Sequence, residues 1–181
     1  MFQLIYSKSL SSIVFAMLIA LIVWGCLRNV VRRRIWTIAN LTLFAAAVLT
    51  ILYATLVNRE PGEYDVILTP FAAFAAARKQ PELYREMLMN VFLFFPLGLT
   101  LSNALPQRWR LWRRIAAATL AGCLLSGGIE YGQYWFSLGL AEMDDVICNT
   151  LGVFLGSVSL LVAGAIEKIQ RKAAKHDADK H

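Results

Sequence analysis

The stretch IAAATLAGCLLSGGIEYGQYWF, residues 115–136, decides the class of this chain, and it contains one charged residue, Glu130. The stretch is long enough to cross the roughly 30 Å of hydrocarbon in a bilayer. A carboxylate placed in hydrocarbon costs about 3 kcal/mol on insertion scales, and such side chains usually pair or line a functional cavity. We therefore hypothesise a polar site around Glu130, inside the membrane.

Composition places the rest of the chain in the same class. Of its 181 residues, 58% are hydrophobic, and the mean hydropathy is +0.55, whereas soluble domains are about 45–50% apolar. The sequence predicts an all-α integral membrane bundle, one domain over residues 1–181, with five transmembrane helices. The predicted spans are residues 9–27, 35–57, 88–105, 115–136 and 146–165.

Basic residues predict the orientation of these helices. They collect after the first span, after the third span and in the charged tail, residues 166–181. Because short loops rich in Lys and Arg stay in the cytoplasm, we expect the N-terminus outside, the C-terminus inside, and a multi-pass protein of the cytoplasmic membrane. The net charge of +6 then reflects topology and does not predict a nucleic-acid partner. The residues of the tail are Lys168, Arg171, Lys172, Lys175 and Lys180. Anionic lipid headgroups are the expected partners of the Arg clusters of the two loops: Arg28, Arg32, Arg33, Arg34, Arg108, Arg110, Arg113 and Arg114.

The long connection between the second and third spans contains a short apolar segment, residues 71–77. Thr69 and Pro70 are typical of a helix start, and they predict a helix over residues 71–79. The segment is too short to cross the membrane. Two interpretations stay open: it lies at or dips into the outer interface and covers the polar site, or it is an ordinary surface loop with one short helix.

The third span contains NVFLFFPLG, residues 90–98. Pro96 cannot donate to the carbonyl of Phe92, which predicts a kink near the middle of the helix. The kink either exposes backbone oxygen to a cavity or serves packing alone. Asn90 lies near the outer end of the span, at a depth similar to that of the other buried polar groups.

The fourth and fifth spans carry stripes that predict close packing against each other. The stripe on the fourth span runs from Ala118 and Gly122 to Glu130, and that on the fifth runs from Asn149 to a Gly-x-x-x-Gly pair, Gly152 and Gly156. If the stripes face each other, Glu130 and Asn149 lie at similar depth, and a hydrogen bond between them is expected. The predicted packing residues are Pro96, Gly98, Gly122, Gly152 and Gly156.

Carboxylates and amides gather at the outer ends of these two spans. Taken alone, Asp144 and Asp145 are typical of residues that cap the start of the fifth helix. As a group the polar residues exceed what helix packing requires, which favours a functional site. The predicted cluster is Glu130, Gln133, Asp144, Asp145 and Asn149. Nothing in the sequence predicts a cofactor or a metal, because the three cysteines lie in or at the ends of apolar segments without metal-site spacing.

Three motifs in this order resemble the VanZ-like family of bacterial membrane proteins. They are NVFLFFPLG at residues 90–98, EYGQ at 130–133, and DDVICNTLG at 144–152 with Gly156 beyond. TLVNR at residues 55–59, ahead of Pro70 and Phe71, is similar to the start of the family. The resemblance covers a core of about residues 52–157 and leaves out the first helix and the tail.

One position departs from the family pattern. Members commonly have Arg five residues before the Asp pair, where this chain has Gly139. If that Arg normally pairs with the acidic site or with a substrate anion, another cation must replace it here. Arg59 and Arg85 are the candidates.

The resemblance also implies a function. The founding member of the family is associated with low-level resistance to teicoplanin, so we expect a protein that engages an amphiphilic envelope molecule, either a lipoglycopeptide or a lipid-linked wall precursor, near the outer membrane face. The expected contacts are Asn90, Glu130, Gln133, Asp144, Asp145 and Asn149, with Arg59 and Arg85 on an anionic headgroup.

Two alternatives stay open. The first is an enzyme acting on a lipid-linked substrate with Glu130 as acid or base, although no nucleophile is evident and both histidines lie in the tail. The second is a small lipid transporter or scramblase, which would favour a homo-oligomer because five helices form only a narrow conduit.

Overall fold

The computed structural model describes residues 2–57, 65–77 and 80–178 of the protein. Most of this part of the chain is helical. A π-helical turn, Tyr53–Val57, continues the second helix, and two short strands, β1 (Val66–Ile67) and β2 (Ala141–Glu142), pair with each other. The helices are α1 (Phe2–Val30), α2 (Arg33–Leu52), α3 (Ala72–Ala77), α4 (Pro81–Ala104), α5 (Leu111–Trp135), α6 (Met143–Ser157) and α7 (Ser159–Ala178).

The predicted membrane fold is confirmed. Five helical segments of the described chain are long and apolar enough to cross a bilayer: Ser12–Val30, Arg33–Val57, Glu82–Ala104, Leu111–Trp135 and Met143–Ala173. The last segment comprises α6 and α7, which only Val158 separates. We name the two ends of the bundle by their buried charges. The Glu130 end holds the starts of α4 and α6 and the end of α5, and the Arg114 end holds the ends of α1 and α4 and the start of α5.

Helix α4 is the centre of the bundle and separates two apolar clusters. On one side, Val91 and Phe95 pack with Met17 of α1 and Cys148 of α6. On the other side, Phe94 and Leu97 pack with side chains of α2, α5 and α6: Ile51, Ile129 and Val153. Because lipid is as apolar as these side chains, close packing and not burial from water holds membrane helices together.

The closest helix contact joins α4 to α6. A Cβ added at Gly152 would lie 2.2 Å from the carbonyl oxygen of Val91, and one at Gly156 would lie 2.2 Å from that of Phe95. The Gly-x-x-x-Gly face therefore packs against the third span, whereas the sequence analysis placed it against the fourth. The physical reason is rotation, since successive residues of a helix point about 100° apart and α6 buries two adjacent faces.

The face of α6 that meets α5 carries Asn149 and Val153. A Cβ at Gly122 of α5 would lie 2.4 Å from Cγ2 of Val153, so Gly122 does have the predicted packing role against α6. The two stripes thus meet through Gly122 and Asn149, while Gly152 and Gly156 belong to the neighbouring interface with α4.

Helix α4 continues across Pro96, whose ring lies on an exposed face. The Thr100 hydroxyl donates to the Pro96 carbonyl at 2.8 Å. Two residues after Pro96, Gly98 faces α6, where the Ser157 hydroxyl donates to its carbonyl at 3.3 Å. Pro96 therefore lies beside the α4–α6 contact and does not interrupt the helix.

Arg114 is buried at the start of α5, with 1% of its surface exposed. Its guanidinium donates to the carbonyl of Ser102 from Nε at 3.0 Å and from Nη2 at 2.7 Å, and to the carbonyl of Asn103 at 3.2 Å. These carbonyls lie in the last turn of α4, where they have no partner within the helix. Arg114 was predicted to be a loop cation, but in the structure it joins α5 to the end of α4.

Candidate functional site

Four of the predicted site residues lie buried at the Glu130 end. The exposed fraction is 8% for Glu130, 1% for Gln133, and 3% for both Asp144 and Asn149. Glu130 and Gln133 project from the last turns of α5, and Asp144 and Asn149 from the first turns of α6. Buried carboxylates and amides need hydrogen-bond partners, so their partners indicate what each one does.

The Glu130 carboxylate holds the start of α6. Its Oε2 accepts a hydrogen bond from the backbone N–H of Glu142 at 3.0 Å. Glu142 ends β2 and is the residue that precedes α6, and its own side chain makes no capping bond to that helix. A carboxylate that accepts from a backbone amide forms a charge-assisted bond, which is stronger than a neutral one.

Asp144 caps a different helix from the one predicted. Its carboxylate accepts from the N–H of Phe71 at 2.5 Å and from the N–H of Ala73 at 2.7 Å, at the start of α3. The expectation that Asp144 caps the fifth span was wrong, because Asp144 lies within the first turn of α6 and points across to α3. Asp145 lies beside it in the same turn and is partly buried.

The loop that contains α3 is more ordered than its sequence indicates. Phe71 has a left-handed φ of 64°, so the helix begins at Ala72, one residue later than predicted. The strand before it, β1, runs parallel to β2, with Val66 opposite Ala141 and Ile67 opposite Glu142. No sequence signal predicted these two-residue strands. Together with the bonds of Asp144, they attach the loop to the segment between the end of α5 and the start of α6.

The two buried amides each use their nitrogen on a neighbouring segment. Nδ2 of Asn149 donates to the Ser126 hydroxyl at 2.9 Å, so its partner is Ser126 and not Glu130 as the sequence analysis expected. Nε2 of Gln133 donates to the carbonyl of Thr55 at 3.0 Å, within the π-helical turn that ends the second span. Turns of this kind often lie at functional sites.

The oxygen atoms of the same two amides have no partner. Gln133 Oε1 and Asn149 Oδ1, hereafter the acceptor pair, are buried and accept no hydrogen bond in the described structure. An unsatisfied buried acceptor costs about 1–3 kcal/mol, so a buried acceptor of this kind calls for an explanation. Chemically, the pair would accept hydrogen bonds from a hydroxyl, an amide N–H or a water.

Two further predicted residues, Asn90 and Arg85, are not drawn into this group. Asn90 is partly buried on α4 and has no hydrogen bond to the four buried residues. Arg85 is exposed on α4 and forms no ion pair within the described chain. Arg59 lies outside the described residues. Two partners that the sequence analysis did not assign to the site, Thr55 and Ser126, do belong to it, and each lay within a stretch already singled out.

Comparison with known proteins gives the family of this chain. The VanZ/LLP1 family model matches residues 41–164, from α2 into α7. The chain belongs to the VanZ/LLP1 family. It is also 37% identical over 89 residues to Protein VanZ of Enterococcus faecium. That match covers 49% of this chain and 48% of the relative, so the chain is matched to about half of the relative's length. No solved structure matches the chain.

Membership of the VanZ/LLP1 family makes Gly139 informative. Its φ is 126°, in a region that side chains other than glycine rarely adopt. The resemblance places Arg at this position in other members, and an Arg here would be strained on this backbone. Gly139 thus suits the backbone conformation of this loop.

Proposed function

We propose that this VanZ/LLP1 protein binds an amphiphilic molecule of the cell envelope at the Glu130 end, on the outer side of the cytoplasmic membrane. The single observation that carries the proposal is the acceptor pair. Both atoms lie in the part of the bundle where the carboxylates of Glu130 and Asp144 are also buried. A headgroup that donates hydrogen bonds to Gln133 Oε1 and Asn149 Oδ1 would remove the penalty of two unsatisfied acceptors.

The chemistry of the expected ligands fits these acceptors. Lipid-linked wall precursors and lipoglycopeptides both carry sugar hydroxyls and amide N–H groups next to a lipid chain. The orientation predicted from the basic residues puts the acceptor pair in the outer leaflet, where both kinds of molecule reside. Low-level resistance to teicoplanin is the activity we propose for this chain on the basis of the family.

In this proposal the short helix α3 is part of the cover, since its Ala73 and Ala77 pack against the apolar cluster of α4 and α6. Phe71 is 60% exposed and Phe74 39% exposed, and their ring centroids are 5.7 Å apart. Such exposed aromatic side chains suit contact with lipid at the membrane interface. Since the acceptor pair is buried, a ligand must move a covering segment to reach it. The Asp144 carboxylate holds the start of α3 in place through its bonds to the N–H groups of Phe71 and Ala73.

Teicoplanin susceptibility of a sensitive Gram-positive host tests the proposal. The host expresses the parent chain, Gln133→Leu, or Gln107→Leu, the same substitution in the loop at the Arg114 end. We expect the parent and Gln107→Leu to raise the inhibitory concentration of teicoplanin, and Gln133→Leu to return it to that of the host without the protein. Membrane abundance is measured for each. Equal protection by Gln133→Leu and the parent, or no protection by an abundant parent, would contradict the proposal.

Glu130→Gln distinguishes binding from acid–base chemistry in the same assay. The Gln oxygen can still accept from the N–H of Glu142, so the fold is expected to survive. A binding protein should therefore retain most of its protection. Full loss of protection at normal abundance would favour an enzyme or a proton-coupled carrier that needs the ionisable group.

A further inference from the structure

We propose that the Arg114 end carries a second, separate site, which binds the phosphate of an anionic phospholipid headgroup through Arg28. The observation is one buried guanidinium nitrogen without a hydrogen bond, on a residue that is partly buried. Nη1 of Arg28 is buried and has no hydrogen-bond partner in the described structure. Guanidinium groups stay charged and present five donors that match phosphate oxygens well.

The position of Arg28 is set by the contact between α1 and α7. A Cβ added at Gly25 would lie 3.1 Å from Cγ1 of Val162, and Nδ2 of Asn29 lies 3.5 Å from the carbonyl oxygen of Ala163. Arg28 lies in the last turn of α1, between these two residues. Its guanidinium is thus held against α7 and is not a freely moving surface cation.

The protein groups near Arg28 do not satisfy it. Arg114 repels Arg28 electrostatically. The carbonyls of Ser102 and Asn103 already accept hydrogen bonds from the guanidinium of Arg114. Glu167 attracts Arg28, but Oε1 of Glu167 is 2.5 Å from Nη2 of Arg171. An added anion would both supply acceptors to Arg28 and reduce its repulsion with Arg114.

A basic groove of about 430 Å³ lies on the surface of α7 at the same end. Arg28 is not part of its wall, and Glu167, which attracts Arg28, lies between the two positions. The residues of this wall all belong to α7, so a headgroup in the groove would reach Arg28 across the contact between α1 and α7, and clusters of Lys and Arg at the membrane surface attract anionic headgroups. The groove is lined by Gly164, Glu167, Lys168, Arg171 and Lys172.

The surroundings favour a lipid over a free phosphate ion. Leu161 on α7 and Trp112 on α5 are exposed apolar side chains at the same end, and they would contact acyl chains. The guanidinium carbon of Arg113 lies 5.3 Å from the centroid of the Trp112 ring. Trp and Arg side by side are typical of the boundary between headgroups and hydrocarbon.

Thermal unfolding of the purified full chain in detergent tests this site. Phosphatidylglycerol, phosphatidylcholine or inorganic phosphate is added at equal concentration. A ligand that binds only the folded state raises Tm, so we expect phosphatidylglycerol to raise the Tm of the parent by several degrees and the other two to have little effect. An equal shift with phosphatidylcholine would overturn the requirement for an anion, and an equal shift with inorganic phosphate would overturn the lipid assignment.

Variants of the basic residues test whether Arg28 is needed for the rise in Tm caused by phosphatidylglycerol. Arg28→Gln should lose most of the phosphatidylglycerol shift, whereas Arg34→Gln, which removes the same charge from an exposed position at the same end, should keep it. If Arg28→Gln yields no folded protein, the double variant Lys168→Gln with Lys172→Gln replaces it, because both side chains are exposed. We expect that variant to lose about half of the shift. An unchanged shift in Arg28→Gln, or in the double variant used in its place, would overturn the proposal.

Discussion

The two ends of the bundle satisfy backbone groups with charges of opposite sign. At the Glu130 end, the carboxylates of Glu130 and Asp144 accept from N–H groups that precede α6 and begin α3. At the Arg114 end, a guanidinium donates to carbonyls in the last turn of α4. Helix starts expose N–H groups and helix ends expose carbonyls, so each end of this bundle buries the charge that suits the backbone groups found there.

Helix α5 carries both kinds of charge, Arg114 in its first turn and Glu130 in its last turns. It therefore joins a neighbouring segment at each end. Beyond these structural bonds, the two ends differ in what they leave unsatisfied. Among the described residues, the Glu130 end leaves the two oxygens of the acceptor pair without donors, and the Arg114 end leaves Nη1 of Arg28 without an acceptor, together with Trp36 Nε1 and Ser102 Oγ. On our two proposals, the ends therefore take ligands of opposite chemistry, a hydrogen-bond donor at one and an anion at the other.

The largest effect is expected from Arg114→Met. The substitution leaves the carbonyls of Ser102 and Asn103 buried without their charged donor, and we expect a loss of about 3 kcal/mol in the free energy of unfolding. Tm in detergent and the yield of folded protein measure it. Arg113→Met is the matched control, since Arg113 is exposed in the same turn. Equal stability of the two variants would show that the Arg114 end does not depend on this cation.

An intermediate loss of stability is expected from Gly152→Ala. Gly152 lies between the two ends of the bundle. The added Cβ would meet the Val91 carbonyl at 2.2 Å, and α4 and α6 must move apart, with an expected loss of about 2 kcal/mol. The control is Gly127→Ala on α5, where an added Cβ meets nothing within 4 Å. The Tm of each variant in detergent measures the loss. A Gly152→Ala protein as stable as Gly127→Ala would contradict the close contact of α4 with α6.

A smaller and local effect is expected from Asp144→Ala. Loss of a capping carboxylate typically removes about 1 kcal/mol, and here the loss should fall on α3 and not on the whole bundle. Hydrogen exchange of the amides of residues 71–77 should become faster, while exchange in α5 stays unchanged. Glu82→Ala, at an exposed position in the first turn of α4, is the control. An unchanged rate of hydrogen exchange in α3 would mean that the Asp144 carboxylate does not hold this helix in place.

The smallest effect is expected from Arg171→Gln at the Arg114 end. Its ion pair with Glu167 joins side chains that are 80% and 47% exposed, and exposed pairs of this kind contribute about 0.5 kcal/mol or less. Without added lipid, the Tm should therefore stay within experimental error of the parent. A large fall in Tm would show that the ion pair on α7 stabilises the fold. The contrast between the buried Arg114 and the exposed charges at the same end would then be weaker.

The sequence by itself determined the membrane class, the five spans and the family, because length and hydropathy are properties of local stretches. It also singled out Glu130, Gln133, Asp144 and Asn149, since polar residues within or beside apolar runs are visible without a structure. Their burial at one end of the bundle followed from the expected direction of each helix.

Only the tertiary structure decided which groups meet. The carboxylate of Asp144 reaches α3 and the face of Gly152 meets α4, because these contacts depend on the rotation of each helix about its axis and on the path of a distant loop. The pairing of β1 with β2 involves residues too few and too far apart in the chain to leave a pattern. Arg114 counts as a loop cation in the sequence, and it is buried because the end of α4 offers carbonyl oxygens that only a neighbouring donor can satisfy.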